Sequence, residues 1–208
     1  MTDAKTELAE LRKKVPFKQI NETTLISGAC QCAFPHVFEM HANKMYPDSK
    51  PEASISLLVP KDDPFAKACM MTINKLMTGK YGEDKAKWPD DWKKPISDGD
   101  KKADKYPEMA GHYVIKCNNK RDLPMVLDAA KNEIMDAREI YPGCVVRVKF
   151  NAFISKKFHA VGFGLTLVQK IADAEPFGGA AAPETGDDLD DLDLPAAKTA
   201  GDDVDFDF

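Results

Sequence analysis

The side chains with the most suggestive chemistry lie on two neighbouring segments, residues 144–154 and 158–168. In the first segment every second residue from Cys144 to Ile154 is apolar, which predicts a strand with one buried face. The other face combines cations with an amide and a ring: Arg147, Lys149, Asn151 and Phe153. Lysine and arginine pair with phosphates, and aromatic rings stack on bases of any sequence, so this face suits a single-stranded nucleic acid.

The turn and the return segment extend that surface. Gly162 and Gly164 lie on the outer face of the return strand, where glycine leaves a sheet flat enough for a ligand or another backbone to approach. The inward positions of this strand are predicted to be Val161, Phe163, Leu165 and Leu167. The predicted nucleic-acid contacts of the hairpin are Arg147, Lys149, Phe153, Lys156, Lys157 and Phe158. The alternative is a solvated cationic face whose rings pack under a loop.

A second set of candidate contacts lies in the polar loop at residues 80–109 and just beyond it. So long a loop inside a compact domain is usually functional. Trp88 and Trp92 lie among prolines and lysines, which suits stacking on bases, although a tryptophan can equally anchor a loop to the core. This second set is Lys93, Lys94, Lys116, Lys120, Trp88 and Trp92.

Strands are expected to dominate the domain that positions these residues. Period-two patterns predict them at residues 24–34, 54–59, 112–117, 144–154 and 158–168. Between the second and third strands, Asp63 is expected to cap a helix that begins at Pro64 and ends at Gly79. Residues 123–141 fit either a helix or a short strand with turns. This order predicts a mainly β fold, an OB-fold-like Greek-key barrel with one helix between early strands.

Charge divides the chain into a basic body and an acidic end. Residues 184–208 hold ten acidic side chains and one lysine, a net charge of −9, whereas the whole chain carries −5. Residues 1–183 therefore carry +4. The end is rich in Gly, Ala, Pro and Asp without periodicity, which predicts disorder. We predict a charged N-terminal segment at residues 1–14, an OB-fold-like binding domain at 15–177, and a disordered linker and acidic C-terminal tail at 178–208.

Nothing in the sequence indicates catalysis, a cofactor or a membrane. It has no nucleophile elbow, P-loop or zinc-protease helix, so we expect neither an enzyme nor a cofactor. The N-terminal segment lacks an apolar signal region and no apolar run could cross a bilayer, which predicts a cytoplasmic protein. The five cysteines form no C-x-x-C pair, and four of them lie in apolar stretches, where buried thiols without a bound metal are expected. The alternative is a zinc site at Cys30, Cys32, His36 and His41.

Several segments together resemble a known family. They are residues 54–60 followed by 65–76, Trp88-Pro89 with Trp92, Ile140-Tyr141-Pro142-Gly143, and residues 162–169 with Pro176-Phe177-Gly178. With an acidic end that closes on Asp207-Phe208, these motifs resemble the single-stranded DNA-binding proteins of tailed bacteriophages over about residues 15–180. The bacterial type ends on proline-phenylalanine instead. The resemblance implies an OB-fold protein that coats single-stranded DNA without strong sequence preference during phage DNA replication or recombination, in the host-cell cytoplasm.

The resemblance also implies two roles for the acidic tail, which would compete for the DNA groove and recruit replication or recombination proteins. The predicted partner-binding residues are Asp203, Asp205, Phe206, Asp207 and Phe208. A tail that only improves solubility would have no use for the two phenylalanines. Two alternative functions stay open: a single-strand annealing recombination protein, and a protein-interaction module that uses the acidic tail. Self-association into a homo-oligomer also stays open.

Overall fold

The computed structural model describes residues 4–42, 49–90, 92–155 and 160–179. Its helices and strands are α1 (Ala4–Lys14), β1 (Lys18–Gln19), β2 (Thr24–Ile26), β3 (Cys30–His41), β4 (Glu52–Pro60), α2 (Pro64–Tyr81), β5 (Ile96–Asp98), β6 (His112–Asn119), β7 (Met125–Leu127), β8 (Val145–Ile154) and β9 (Val161–Ala172). The linker and tail predicted to be disordered lie outside the described residues from position 180 onward.

Five of these strands close into a barrel. β3, β4 and β6 run antiparallel in that order, and β8 joins the free side of β3. β9 pairs antiparallel with β8 and, through a bridge between Asn118 and Gly164, parallel with β6. These pairings complete the five-stranded Greek-key ring of an OB-fold, with α2 between β4 and the strands that follow. The predicted fold class is therefore confirmed.

The late hairpin has the two faces that its alternating sequence predicts. Val146, Val148 and Phe150 are fully buried on the inward face of β8. The prediction is wrong at Leu167, which is only half-buried, whereas its neighbour Val168 is fully buried. The cause is a β-bulge: Lys149 pairs with Leu167 and Phe150 with Leu165, so β9 has one extra residue and its alternation shifts by one.

Helix α2 begins where the sequence predicts. Asp63 caps it by accepting a hydrogen bond from the backbone N–H of Phe65 at 2.8 Å, and Pro64 lies in the first turn. The predicted end at Gly79 is wrong, because the helix continues past this residue to Tyr81 and is capped by Gly82. Gly79 is exposed with open space beside it, and an exposed helical glycine costs only about 1 kcal/mol. Gly82 has a φ of 88°, which a terminating glycine adopts readily.

The single strand predicted at residues 24–34 is two strands, β2 and β3, because residues 27–29 leave the ladder. The hydroxyl of Ser27 accepts a hydrogen bond from the backbone N–H of Val148 at 2.9 Å, so a side chain replaces a ladder bond. The chain before β1 crosses Gly28 at close range, since a Cβ built there would lie 3.1 Å from the carbonyl oxygen of Val15.

Two polar regions contain more structure than their sequences indicate. The predicted loop at residues 80–109 holds β5 and three short 3-10 helices, Lys85–Lys87, Gly99–Lys102 and Pro107–Met109. Residues 123–141 take the second of their two predicted forms, the short strand β7 with turns and a 3-10 helix at Ala137–Glu139. No helix in the described ranges is long and apolar enough to cross a bilayer.

All five cysteines are buried free thiols, including the one for which the sequence predicts no apolar surroundings. The sulfurs of Cys32 and Cys144 lie 3.6 Å apart in the core. The imidazole rings of His36 and His41 stack on each other instead, with centroids 4.0 Å apart. Across the described residues, no group of three or more potential metal ligands comes together.

Candidate nucleic-acid interface

A groove of about 720 Å³ opens on the outside of the barrel where β6, β8 and β9 meet. Lys93, Lys94, Lys116, Lys120 and Arg121 supply cations around it, and among the described residues of its lining Asp122 is the one acidic side chain. Phe153 and the two predicted glycines, Gly162 and Gly164, lie in the same lining. The groove therefore combines cations with an aromatic ring, the combination that phosphates and unpaired bases require.

The aromatic ring of Phe153 is positioned by the glycines opposite it. Phe153 pairs with Gly162 across the hairpin, and its side chain is 43% exposed. A Cβ built on Gly162 would lie 2.6 Å from Cζ of Phe153, and one on Gly164 would lie 3.5 Å from Cε1. Glycine at 162 therefore lets the ring lie against the return strand, where it forms part of the groove wall. The sequence predicts that a ligand or another backbone approaches these glycines closely, but in the structure the ring of Phe153 occupies that space.

Two backbone hydrogen bonds hold Lys93 and Lys94 at the groove. The N–H of Val161 donates to the carbonyl of Lys93 at 2.9 Å, and the N–H of Lys116 donates to the carbonyl of Pro95 at 2.8 Å. The segment thus lies between the start of β9 and the middle of β6. Both lysine side chains remain exposed. The long polar loop therefore delivers two cations to a fixed place on the barrel.

Glu52, at the start of β4, organises the remaining lysines. Its side chain is 10% exposed and accepts hydrogen bonds from Lys116 Nζ at 2.6 Å and Asn118 Nδ2 at 2.7 Å, while Lys120 Nζ lies 3.6 Å away. Burial raises the pKa of Glu52, but these hydrogen bonds and the two lysine charges outweigh burial and hold the pKa below its usual value. Glu52 stays ionised, and one buried carboxylate fixes two half-exposed lysines in the groove.

Five of the predicted contacts thus meet in one groove: Lys93, Lys94, Lys116, Lys120 and Phe153. Arg147 and Lys149 lie farther along β8, outside this lining. Arg147 is half-buried, which lowers its pKa, and its Nε has no hydrogen-bond partner among the described residues. Lys156, Lys157 and Phe158 lie outside the described residues, as do the predicted partner-binding residues of the tail.

The two tryptophans take the alternative role that their sequence context leaves open. Trp88 is only 8% exposed, and its indole N–H donates to the carbonyl of Gly82 at 3.0 Å. Trp92 packs edge-on against it with ring centroids 5.8 Å apart, and both contact the hydrophobic core. They anchor the long loop to the end of α2. Trp88 is buried and Trp92 is partly buried, and neither lies in the lining of the groove, so the proposed interface does not include them.

Sequence reasoning missed Glu52 and Asn118. The predicted strand 112–117 ends too early. Asn118 lies two residues after Lys116, so a strand extended by the same alternation would have placed its amide on the same face. Glu52 gives no such signal, because it lies two residues before the predicted strand 54–59 and acts only through its neighbour across the sheet.

Comparisons with known proteins agree with this architecture. The family model described as Enterobacter phage Enc34, ssDNA-binding protein, matches residues 23–198. The chain is similar to the solved structure of the single-stranded DNA-binding protein from bacteriophage Enc34 in complex with ssDNA, with 25% identity over 79% of this chain and 98% of that chain and a TM-score of 0.62. A comparison with curated proteins finds no match.

Two further structures show the same fold. One is another structure of the Enc34 single-stranded DNA-binding protein, with 24% identity over 84% of this chain and 97% of that chain and a TM-score of 0.58. The other is gp2.5, a single-stranded DNA-binding protein encoded by bacteriophage T7, with 12% identity over 76% of this chain and 96% of that chain and a TM-score of 0.50.

Proposed function

The chain belongs to the family of the Enterobacter phage Enc34 ssDNA-binding protein, and from that premise we propose that it binds single-stranded DNA in the groove between β6, β8 and β9. It coats exposed strands without strong sequence preference and carries out no chemistry on them. The observation that carries this proposal is the convergence of four lysines and an exposed phenylalanine on one groove of an OB-fold barrel. A relative with 25% identity has been solved in complex with ssDNA.

The composition of the groove explains why the base sequence of the DNA would have little effect on affinity. Lysine ammonium groups neutralise phosphates whatever the base, and the ring of Phe153 can stack on any base. The position of the groove also fits the fold, because OB-folds bind oligonucleotides on the second and third barrel strands and on the loops beside them. Here those strands are β4 and β6, of which β6 lines the groove, and Ser155 and Ala160 line it next to the facing ends of β8 and β9.

The acidic tail acts in this proposal as a tethered rival of DNA. A coil of about 25 residues spans roughly 25–30 Å, and a domain of this size has a radius of gyration near 16 Å. The tail can therefore reach the groove of its own domain at about millimolar effective concentration. Its charge of −9 competes with phosphates there, and DNA that displaces it frees the end of the tail for protein partners.

We place this activity in phage DNA replication or recombination, in the cytoplasm of the host cell. Asp203, Asp205, Phe206, Asp207 and Phe208 would form the docking peptide for replication or recombination proteins. Lys156, Lys157 and Phe158 would extend the groove at the tip of the hairpin, with Lys149 and Arg147 farther along β8.

A binding series on oligothymidylate across a salt gradient tests the proposal. It compares the full chain with a chain ending at Pro183 and with a Lys93→Glu/Lys94→Glu variant. The double variant should bind on the order of 100-fold more weakly, or about 2.7 kcal/mol, whereas Lys67→Glu on the exposed side of α2 should have little effect. The chain without the tail should bind more tightly, most clearly at low salt.

The outcomes separate the two parts of the proposal. No binding by the full chain or the shortened chain at low salt would exclude the DNA-binding function. Equal affinity of the two would exclude competition by the tail and leave DNA binding intact. Rapid pairing of complementary strands by stable rings of the protein would favour the annealing function instead.

A further inference from the structure

A second, smaller groove of about 380 Å³ adjoins the first. The two grooves share Lys94, Pro95 and Lys116 in their linings. The rest of the second groove comes from the outward face of β3, β4 and β6, from β5, and from Lys102 and Met109. A flexible polymer bound in the first groove could therefore continue into the second without leaving the surface of the barrel.

Phe34 is the most unusual residue of this second groove. Its φ is 50°, a left-handed conformation that is rare for a bulky residue. It lies in a β-bulge of β3, where the pairing steps from Ala33 opposite Ser56 to His36 opposite Ser54 and leaves one extra residue on β3. The bulge leaves the side chain of Phe34 43% exposed. Strained backbone that persists in a folded domain is typical of binding sites.

The ring of Phe34 is held in place by Tyr106. The two rings meet edge to face, with centroids 5.1 Å apart and planes at 82°. Tyr106 in turn packs on a small buried cluster outside the barrel, formed by Ala33, Leu58, Met109 and Val114. Lys105 Nζ lies 5.3 Å from the centre of the Tyr106 ring. Phe34 is therefore a supported aromatic side chain, exposed without being loose.

The chemistry around this ring suits one segment of a nucleic-acid strand. Lys94, Lys102 and Lys116 supply cations, and among the described residues that line the groove none is acidic. Ser54 and Ser56 are small and nearly buried, which leaves the sheet low beside the ring. An apolar peptide would gain little from three lysines, whereas a nucleotide uses both the cations and the ring.

We propose that Phe34, braced by Tyr106, forms a second base-stacking subsite. A single strand bound beside Phe153 continues past Lys94 and Lys116 onto β3 and β4, where a second base stacks on Phe34 and Lys102 pairs with a phosphate. This inference rests on the proposed function and adds a binding residue and a direction for the strand to it.

The test uses the full chain and oligothymidylates of about 4 to about 16 nucleotides, the range of site sizes of OB-folds. Wild-type affinity should rise with length until both subsites are filled. In Phe34→Ala the rise should stop at a shorter length, so that the longest oligonucleotides bind about tenfold more weakly and the shortest bind as before. Phe153→Ala should weaken binding at every length. Met71→Ala, at a 62% exposed position on α2, should change neither the affinity nor its dependence on length.

Two further readouts separate stacking from a folding defect. Phe34→Tyr should restore the affinity for long oligonucleotides. A 2-aminopurine base loses fluorescence when it stacks. When this base is placed at the end of the strand that lies in the second groove, it should be quenched less in the complex with Phe34→Ala than in the complex with the wild-type chain. Wild-type affinity of Phe34→Ala at all lengths, alongside a loss in Phe153→Ala, would overturn the second subsite and leave the first groove standing. An equal loss at all lengths would also contradict it, and no binding by the wild-type chain would remove both proposals.

Discussion

The two ends of the β4–β6 ribbon each carry lysines and carboxylates, but in opposite proportions. At the groove end one carboxylate, Glu52, is shared by Lys116 and Lys120. At the other end one lysine, Lys61, is shared by Asp98 and Asp100 at 2.7 and 2.6 Å. The groove end therefore keeps a surplus cation for a ligand, whereas the charge of Lys61 is fully used within the protein.

The surrounding contacts reinforce this difference. Asp100 also accepts a hydrogen bond from the backbone N–H of Gly111 at 2.7 Å, so the Lys61 cluster fastens the loop before β6. Lys61 Nζ lies 5.7 Å from the centre of the Tyr113 ring, which packs against the core. At the groove, the ring in the same lining as these lysines is that of Phe153, which is exposed. The number of ion pairs does not distinguish a structural cluster from a binding surface. The ratio of lysines to carboxylates and the exposure of the nearby ring do distinguish them.

The largest expected difference between the two ends is in the salt dependence of DNA binding. Lys116→Gln with Lys120→Gln should weaken binding to oligothymidylate about 20-fold at low salt, because two phosphate partners are lost. The slope of log affinity against log salt should become shallower by about 1.4, or about 0.7 per phosphate. Lys61→Gln, the matched change at the other end, should leave the slope unchanged. Fluorescence anisotropy over a salt series measures the affinity and the slope. Equal slopes in all three proteins would contradict the claim that the two ends differ in their role in DNA binding.

The rings should differ next. Phe153→Ala should cost about tenfold in affinity, within the roughly 1–3 kcal/mol measured for one stacked base. Gly162→Ala should have a similar but smaller effect, because the added methyl group meets the Phe153 ring and must displace it. Tyr113→Leu at the other end should leave DNA affinity intact. A Phe153→Ala protein that binds as tightly as wild type would show that the ring only covers its own strand.

Much of this geometry is written in local sequence. The alternation in residues 144–154 gives the two faces of β8, and Asp63 with Pro64 gives the start of α2. These features depend on neighbours along the chain. Glu52 acts on Lys116, 64 positions away, and Phe34 lies in a bulge between β3 and β4 and contacts Tyr106, 72 positions away, so no local pattern reports them. The shift at Leu167 likewise follows from a bulge that the apolar sequence of β9 does not mark.

Glu52 offers a smaller test of the same comparison. Glu52→Gln removes the anion that competes with phosphates for Lys116 and Lys120, while the amide can still bond to Asn118. Affinity for oligothymidylate at low salt should rise about two- to fourfold, the size of one half-exposed ion pair. Titration calorimetry measures the change. A loss of affinity would mean that Glu52 matters more for holding the lysines in position than as their competitor.

The smallest effect is expected on stability in acid. Hydrogen bonds from Lys61 lower the pKa values of Asp98 and Asp100 below their usual range. Carboxyl groups with a lowered pKa in the folded state stabilise it above their unfolded pKa, near 4, and lose that contribution as the pH falls through the folded pKa. Lys61→Gln should therefore unfold at a slightly higher pH than wild type. Acid titration followed by circular dichroism detects this, and an unchanged midpoint would exclude a fastening role for the cluster.

Photochemical cross-linking tests the location of the DNA site most directly. A 5-iodouracil base cross-links on irradiation to an aromatic side chain on which it stacks, and mass spectrometry of the digested complex identifies that side chain. An oligothymidylate with one such base, bound to the full chain, should cross-link to Phe153 in the groove. Cross-links confined to Tyr113 at the Lys61 end, with none at Phe153, would contradict the assignment of the groove as the DNA-binding surface.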